Sequence, residues 1–94
     1  MAFKVRMSSR ANLEIHEAVS WYESKQLLLG DNFLKDLYQN LDRISSNPHQ
    51  FIKNNGFWHA FLNRFPFVIV YQVKNETILV LSVFNTHQNP SKKP

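Results

Sequence analysis

The chain has 94 residues, a net charge of +4 and no cysteine, a length that points to a single domain over residues 1–94. Without cysteine, neither disulfides nor a thiolate metal site can brace the fold. No apolar stretch approaches the roughly 20 residues of a membrane-spanning helix, and Met1-Ala2-Phe3-Lys4-Val5 lacks the apolar core of a signal peptide, so a soluble cytoplasmic protein is expected.

Phe3, Val5 and Met7 alternate with Lys4 and Arg6, the period of a half-buried strand. Ser8 or Ser9 then caps a helix by accepting from free backbone N–H groups. Ala11, Ile15, Ala18, Val19 and Tyr22 form one apolar stripe of that helix, expected over 9–26. Leu29-Gly30-Asp31 reads as a junction, with Gly30 at the helix end and Asp31 as the next N-cap. Phe33, Leu34, Leu37, Tyr38, Leu41 and Ile44 make a second stripe, which Asn47-Pro48 closes.

The remainder reads as sheet. Strands are expected over 57–62, 67–73 and 77–84, with turns at 63–66 and Lys74-Asn75-Glu76. The last two are apolar on both faces and should be central and covered. The order β-α-α-β-β-β argues an α+β fold, an antiparallel helical hairpin packed on a mainly antiparallel sheet. A C-terminal tail from about residue 88 is expected to be mobile.

Charge is uneven. Residues 1–43 carry as many acids as Lys and Arg, whereas residues 44–94 hold Lys53, Arg64, Lys74, Lys92 and Lys93 against Glu76 alone. A basic half suits an anionic partner, either nucleic acid or an acidic polypeptide. A metal site finds no support: His16-Glu17 lacks the second His of a His-Glu-x-x-His motif, because position 20 is Ser. With only Gly30 and Gly56 there is no glycine-rich phosphate loop. No metal and no cofactor are expected.

Several stretches together resemble the RelE/ParE superfamily, in particular its ParE-like, plasmid-stabilisation branch. They are strand one leading into Ser8-Ser9-Arg10-Ala11, then Trp21-Tyr22-Glu23, Leu29-Gly30-Asp31-Asn32-Phe33-Leu34 and Asn47-Pro48 with Phe51. Ala60, Leu62, Arg64-Phe65-Pro66-Phe67, Val83-Phe84 and Asn89-Pro90 complete the pattern. The resemblance implies the toxin of a type II toxin–antitoxin pair, with a cognate antitoxin protein as partner. RelE-like members cut mRNA on the ribosome, whereas ParE-like members are linked to poisoning of DNA gyrase.

RNA cleavage by 2′-hydroxyl attack requires proton transfer and cations for the phosphorane charge. His59, Arg64 and His87 are the candidate catalytic residues under that reading. Lys53, Arg64, Lys92 and Lys93 are candidates for target or nucleic-acid contact, while Tyr71 reads as core. The chain departs from the superfamily at Trp58, where Arg is frequent, at Phe67, which lacks a tyrosine hydroxyl, and at Asn85 and Gln88, in place of His and Arg. Neither Asn nor Gln is an ordinary acid or base near neutral pH, so inhibition by protein binding is favoured. Antitoxin docking is expected at Trp21, Leu27 and Leu28 and at a free sheet edge.

Overall fold

The computed structural model describes residues 2–87. Lys92, Lys93, the Gln88 departure and the expected mobile tail lie outside the described residues. Strand β1 (Lys4–Met7) leads into helix α1 (Ser9–Lys25), then helix α2 (Leu29–Ser46) and a short 3-10 turn at Pro48–Gln50. Strands β2 (Ile52–Asn54), β3 (Phe57–Phe61), β4 (Phe67–Lys74) and β5 (Thr77–Asn85) follow. The expected order is present, with β2 as one additional short strand.

Ser8 is the N-cap of α1. Its Oγ accepts from the Ala11 N–H at 3.0 Å and donates to the Leu81 carbonyl at 2.8 Å, so one side chain both starts the helix and ties it to β5. The junction between the helices differs from the expected one. Leu28, at φ 70°, takes the left-handed position assigned to Gly30, and α2 already begins at Leu29. The Glu23 carboxylate, rather than Asp31, receives the free N–H groups there, from Leu28 at 2.9 Å and Gly30 at 3.0 Å. Gly30 is required for closeness: a Cβ there would stand 2.9 Å from the Val19 carbonyl oxygen.

The five strands form one sheet in the order β1-β5-β4-β3-β2. β1 runs parallel to β5, and every other pairing is antiparallel. Phe33, Leu37, Leu41 and Ile44 of α2 and Ala11 and Ala18 of α1 pack on Ile69, Tyr71, Ile78, Val80 and Val83. A cluster of rings closes one end: Tyr22 stacks on Phe33, and Phe65 and Phe67 meet both edge-on or tilted. Such pairs contribute about 0.5–1.5 kcal/mol each beyond burial.

β4 and β5 are central, as their apolar runs require, but the helices cover only one of their faces. Phe67, Ile69 and Tyr71 point under the hairpin, so Val68, Val70 and Gln72 point away from it. Edge placement also alters β1, where Val5 is 36% exposed because only one neighbouring strand flanks it.

Candidate functional site

The strand register fixes what the helix-free face presents. Across β2, β3 and β4, Ile52 pairs with His59 and His59 with Val70, while Phe61 pairs with Val68. On β5, Phe84 pairs with Val68 and Leu79 with Gln72. On β1, Lys4 pairs with Thr77 and Arg6 with Leu79. One end of this face therefore carries Lys4, Arg6 and Lys74, and the other is aromatic and aliphatic. Ile52 and Phe61 are exposed by 63% and 53%, well beyond what a covered sheet face permits. His59 is half-buried among them, and its Nδ1 is buried without a hydrogen-bond partner.

Arg64 lies in the β3–β4 turn, which a buried acid holds in place. The Asp36 carboxylate, on α2, accepts from the backbone N–H groups of Asn63 (3.1 Å), Arg64 (2.7 Å) and Phe65 (3.2 Å). Asn40 Nδ2 adds a fourth bond at 3.1 Å. His87 comes to the same end of the sheet, because the preceding residue, Thr86, donates from its backbone N–H and its hydroxyl to the Pro66 carbonyl. His59 does not join them. It pairs with Val70, about five strand positions away from His87, on the order of 16 Å.

Lys53, expected in a loop, sits on β2 opposite Trp58, with its ammonium 5.3 Å from the indole centroid. It belongs to the helix side of the sheet and lies far from Arg64. Trp58, at a position where the superfamily often has Arg, serves packing: it stacks at 15° on Tyr71 and meets His49 edge-on. Tyr71 is fully buried and donates its hydroxyl to the Pro48 carbonyl at 2.7 Å. Burial raises its pKa to about 12, so it is a poor proton donor or acceptor near neutrality. Burial also raises that of Tyr22. The nuclease candidates thus divide between two places. Among the described residues no cluster of His, Asp and Glu is arranged to hold a metal.

A second concavity runs between α1 and β5. β1 covers only Thr77–Val80 of the nine-residue β5. Beyond that point Glu14 seals part of the edge, its Oε1 accepting from the Ser82 hydroxyl at 2.7 Å and the Val83 N–H at 2.9 Å. Arg10 lies 3.5 Å from the other oxygen. The remaining gap is a groove of about 420 Å³ lined by Glu14, Glu17, Ala18, Trp21, Val83 and Asn85, among others. Trp21 borders it, half exposed, with Lys25 Nζ 4.1 Å from its ring. Leu27 and Leu28 occupy the hairpin tip beyond and are largely exposed.

The bonding roles of Asp36, Glu14 and Glu23 are absent from the sequence reading, although Glu23 is named there in the Trp21-Tyr22-Glu23 stretch. For Asp36 a signal existed. It falls with Asn40 inside the stripe of Phe33, Leu37, Leu41 and Ile44, where a polar residue must have a buried partner. The exposed alternation Phe57-His59-Phe61 was visible too, but its face was not.

Three comparisons bear on this architecture. A family model described as ParE toxin of type II toxin-antitoxin system, parDE, matches residues 5–90. Among solved structures, the chain is similar to one from the chromosomal ParDE toxin–antitoxin system of P. aeruginosa, at 17% identity and a TM-score of 0.73. That match covers 92% of this chain and 98% of the other. It is also similar to a chain of the RelBE2 toxin–antitoxin complex of Mycobacterium tuberculosis, at 15% identity and a TM-score of 0.63, covering 90% and 99% of the two chains. At these identities both likenesses establish the fold. No curated protein matches.

Proposed function

The chain belongs to the ParE toxin family of type II toxin–antitoxin systems, and from that premise we propose that it stops growth by binding a protein target, DNA gyrase, without cutting a bond itself. A cognate antitoxin holds it inactive, the whole chain acts as one cytoplasmic domain, and no cofactor takes part. The observation that carries this reading is the helix-free sheet face. There Ile52, Phe57, Phe61 and Leu79 remain exposed beside the cations Lys4, Arg6 and Lys74. An apolar patch with a charged rim is the usual signature of a protein-binding surface, and the separation of His59 from Arg64 and His87 does not supply a proton-transfer pair.

A second reading, a ribosome-dependent mRNA endonuclease, draws on the meeting of Arg64 and His87 at one end of the sheet. A third, a toxin that retains only antitoxin binding, draws on Trp58 packing against the core from a partly buried position. Pulse incorporation of labelled thymidine and methionine after induction of this chain in a bacterium separates them. Gyrase poisoning predicts an early fall in DNA synthesis. An earlier fall in protein synthesis refutes it in favour of the nuclease. Unaffected growth with confirmed soluble expression leaves the binding module.

A further inference from the structure

We propose that Asn55 is a site of spontaneous covalent modification, at which its side-chain amide cyclises onto the backbone nitrogen of Gly56 and is released as ammonia. Asparagine is among the thermolabile residues, and its reactivity depends on how freely the next backbone nitrogen reaches its side chain. Asn55-Gly56 is the only Asn-Gly step in the chain, and glycine has no Cβ to obstruct the approach.

That step stands where little holds it. Asn55 at φ 55° and Gly56 at φ 83° form the two-residue loop between β2 and β3, the pair of left-handed residues of a type I′ hairpin turn. Asn54, Asn55 and Gly56 are all exposed. A Cβ at Gly56 would meet nothing within 4 Å, so the loop stands clear of the rest of the molecule. Among the described residues the Asn55 amide has no hydrogen-bond partner. The strand before the loop is three exposed residues, outermost in the sheet and paired with β3 alone. Ring closure requires Asn55 to leave its left-handed conformation, so this end of the hairpin must open. Exposed segments with few buried contacts open at the lowest free-energy cost.

Asn75 supplies the contrast. It is left-handed too, at φ 56°, in the two-residue loop between β4 and β5. The residue after it is Glu76, whose side chain crowds the nitrogen and whose carbonyl accepts from the Lys4 N–H at 2.9 Å. The strands flanking it are eight and nine residues long. Asn47 and Asn89 precede proline, whose nitrogen has no proton to give up.

The reaction balances with water as its one co-reactant. The Gly56 nitrogen loses its proton and attacks Cγ of Asn55. A nitrogen–carbon bond forms there, the Cγ–NH2 bond breaks, and the departing group takes up a proton and leaves as ammonia. Water then opens the five-membered imide. Attack at Cγ leaves an aspartate in the ordinary chain. Attack at the Asn55 backbone carbonyl leaves the chain running through the side chain, one methylene longer. The longer product does not fit a two-residue loop, so the pairing of Asn54 with Phe57 is lost with it. Either product adds one negative charge, at the end of the sheet that carries Lys4 and Lys74. That end is the cationic rim of the proposed binding face, although the modification itself does not depend on that reading.

The test incubates the purified full chain at mildly alkaline pH, once folded and once in guanidinium chloride. Digestion and fragment mass spectrometry locate each amide lost and separate Asn55 from its neighbour Asn54. In the folded chain Asn55 is expected to convert at least tenfold faster than Asn75, and within tenfold of its own rate in denaturant. Gly56→Asn keeps a residue that tolerates the left-handed backbone, and thermal melts verify that it folds as wild type does. It is expected to slow the loss at Asn55 at least tenfold. Two results overturn the proposal: conversion of folded Asn55 no faster than that of Asn75, or conversion more than tenfold slower in the folded chain than in denaturant. Because the readout is a mass change in the isolated protein, neither result bears on the toxin's target.

Discussion

Asp36→Ala is the most informative perturbation of this fold. The carboxylate is 3% exposed and accepts three consecutive backbone N–H groups, of Asn63, Arg64 and Phe65, in addition to the Asn40 amide. Hydrogen bonds to a charged group contribute about 1.5–3 kcal/mol each, but such contributions are not additive when one side chain makes them all. The turn is partly buried, so water replaces some of the lost partners, and a cost of about 3–5 kcal/mol is expected. Domains of this size hold roughly 5–14 kcal/mol in total, so the variant should be only marginally folded.

Urea unfolding gives the number directly from the shift in midpoint, provided the slope is unchanged. Asp36→Asn keeps one acceptor oxygen and loses the charge, and it should fall between wild type and the alanine variant. Asp42→Ala, an exposed acid on the same helix, should stay within about 0.5 kcal/mol of wild type. Amide exchange at residues 63–65 supplies the local readout, with protection lost in Asp36→Ala. A cost under about 1 kcal/mol with protection retained refutes the claim that this carboxylate holds the turn.

Two further outcomes follow from packing and burial. Gly30→Ala places a methyl carbon against the Val19 carbonyl, which cannot rotate away, so the helices must part at a cost of about 1–3 kcal/mol, readable as a lowered melting temperature. Alkaline pH should weaken the fold through Tyr71. Its pKa is raised by burial from 10.0 to about 12, so above pH 10 the unfolded chain gives up a proton that the folded chain keeps, and stability falls progressively between pH 10 and 12. Two units correspond to about 2–3 kcal/mol. Urea midpoints against pH should show that decline, and Tyr71→Phe should flatten it while costing about 1–2 kcal/mol at neutral pH through the orphaned Pro48 carbonyl. A decline of the same slope in Tyr71→Phe refutes the assignment.

Much of the fold was legible in the chain. The stripes of α1 and α2 and the long apolar runs of β4 and β5 follow directly from the periods of helix and strand. Ser8 as a cap and Pro48 as a stop are local chemistry, which a local reading captures. The helix junction was misplaced because Gly30 satisfies two different demands equally well: a left-handed backbone and a close approach of two helices. Only the position of Val19 in space decides between them. β2 escaped notice since Ile52-Lys53-Asn54 is too short for any period to register, and its pairing with β3 supplies what its sequence does not.

The candidate site was less legible, and for a related reason. Residue type nominates a functional group, whereas distance determines whether groups act together. Arg64 and His87, 23 positions apart in the chain, share one end of the sheet because Thr86 bonds to Pro66. His59, much nearer to Arg64 in sequence, points from the middle of the helix-free face. Trp21 carried its exposure in no local signal, since the stripe of α1 is also compatible with a buried indole.

The sequence by itself therefore determined the two helices, the strands other than β2, their order and the family, because these depend on periodicity, caps and breakers within a few residues of one another. Tertiary structure decided which face the helices leave bare, where β1 stops along β5, and which acids are committed to backbone N–H groups. Those outcomes depend on strand register and on contacts between residues distant in the chain, and no short window of sequence encodes either.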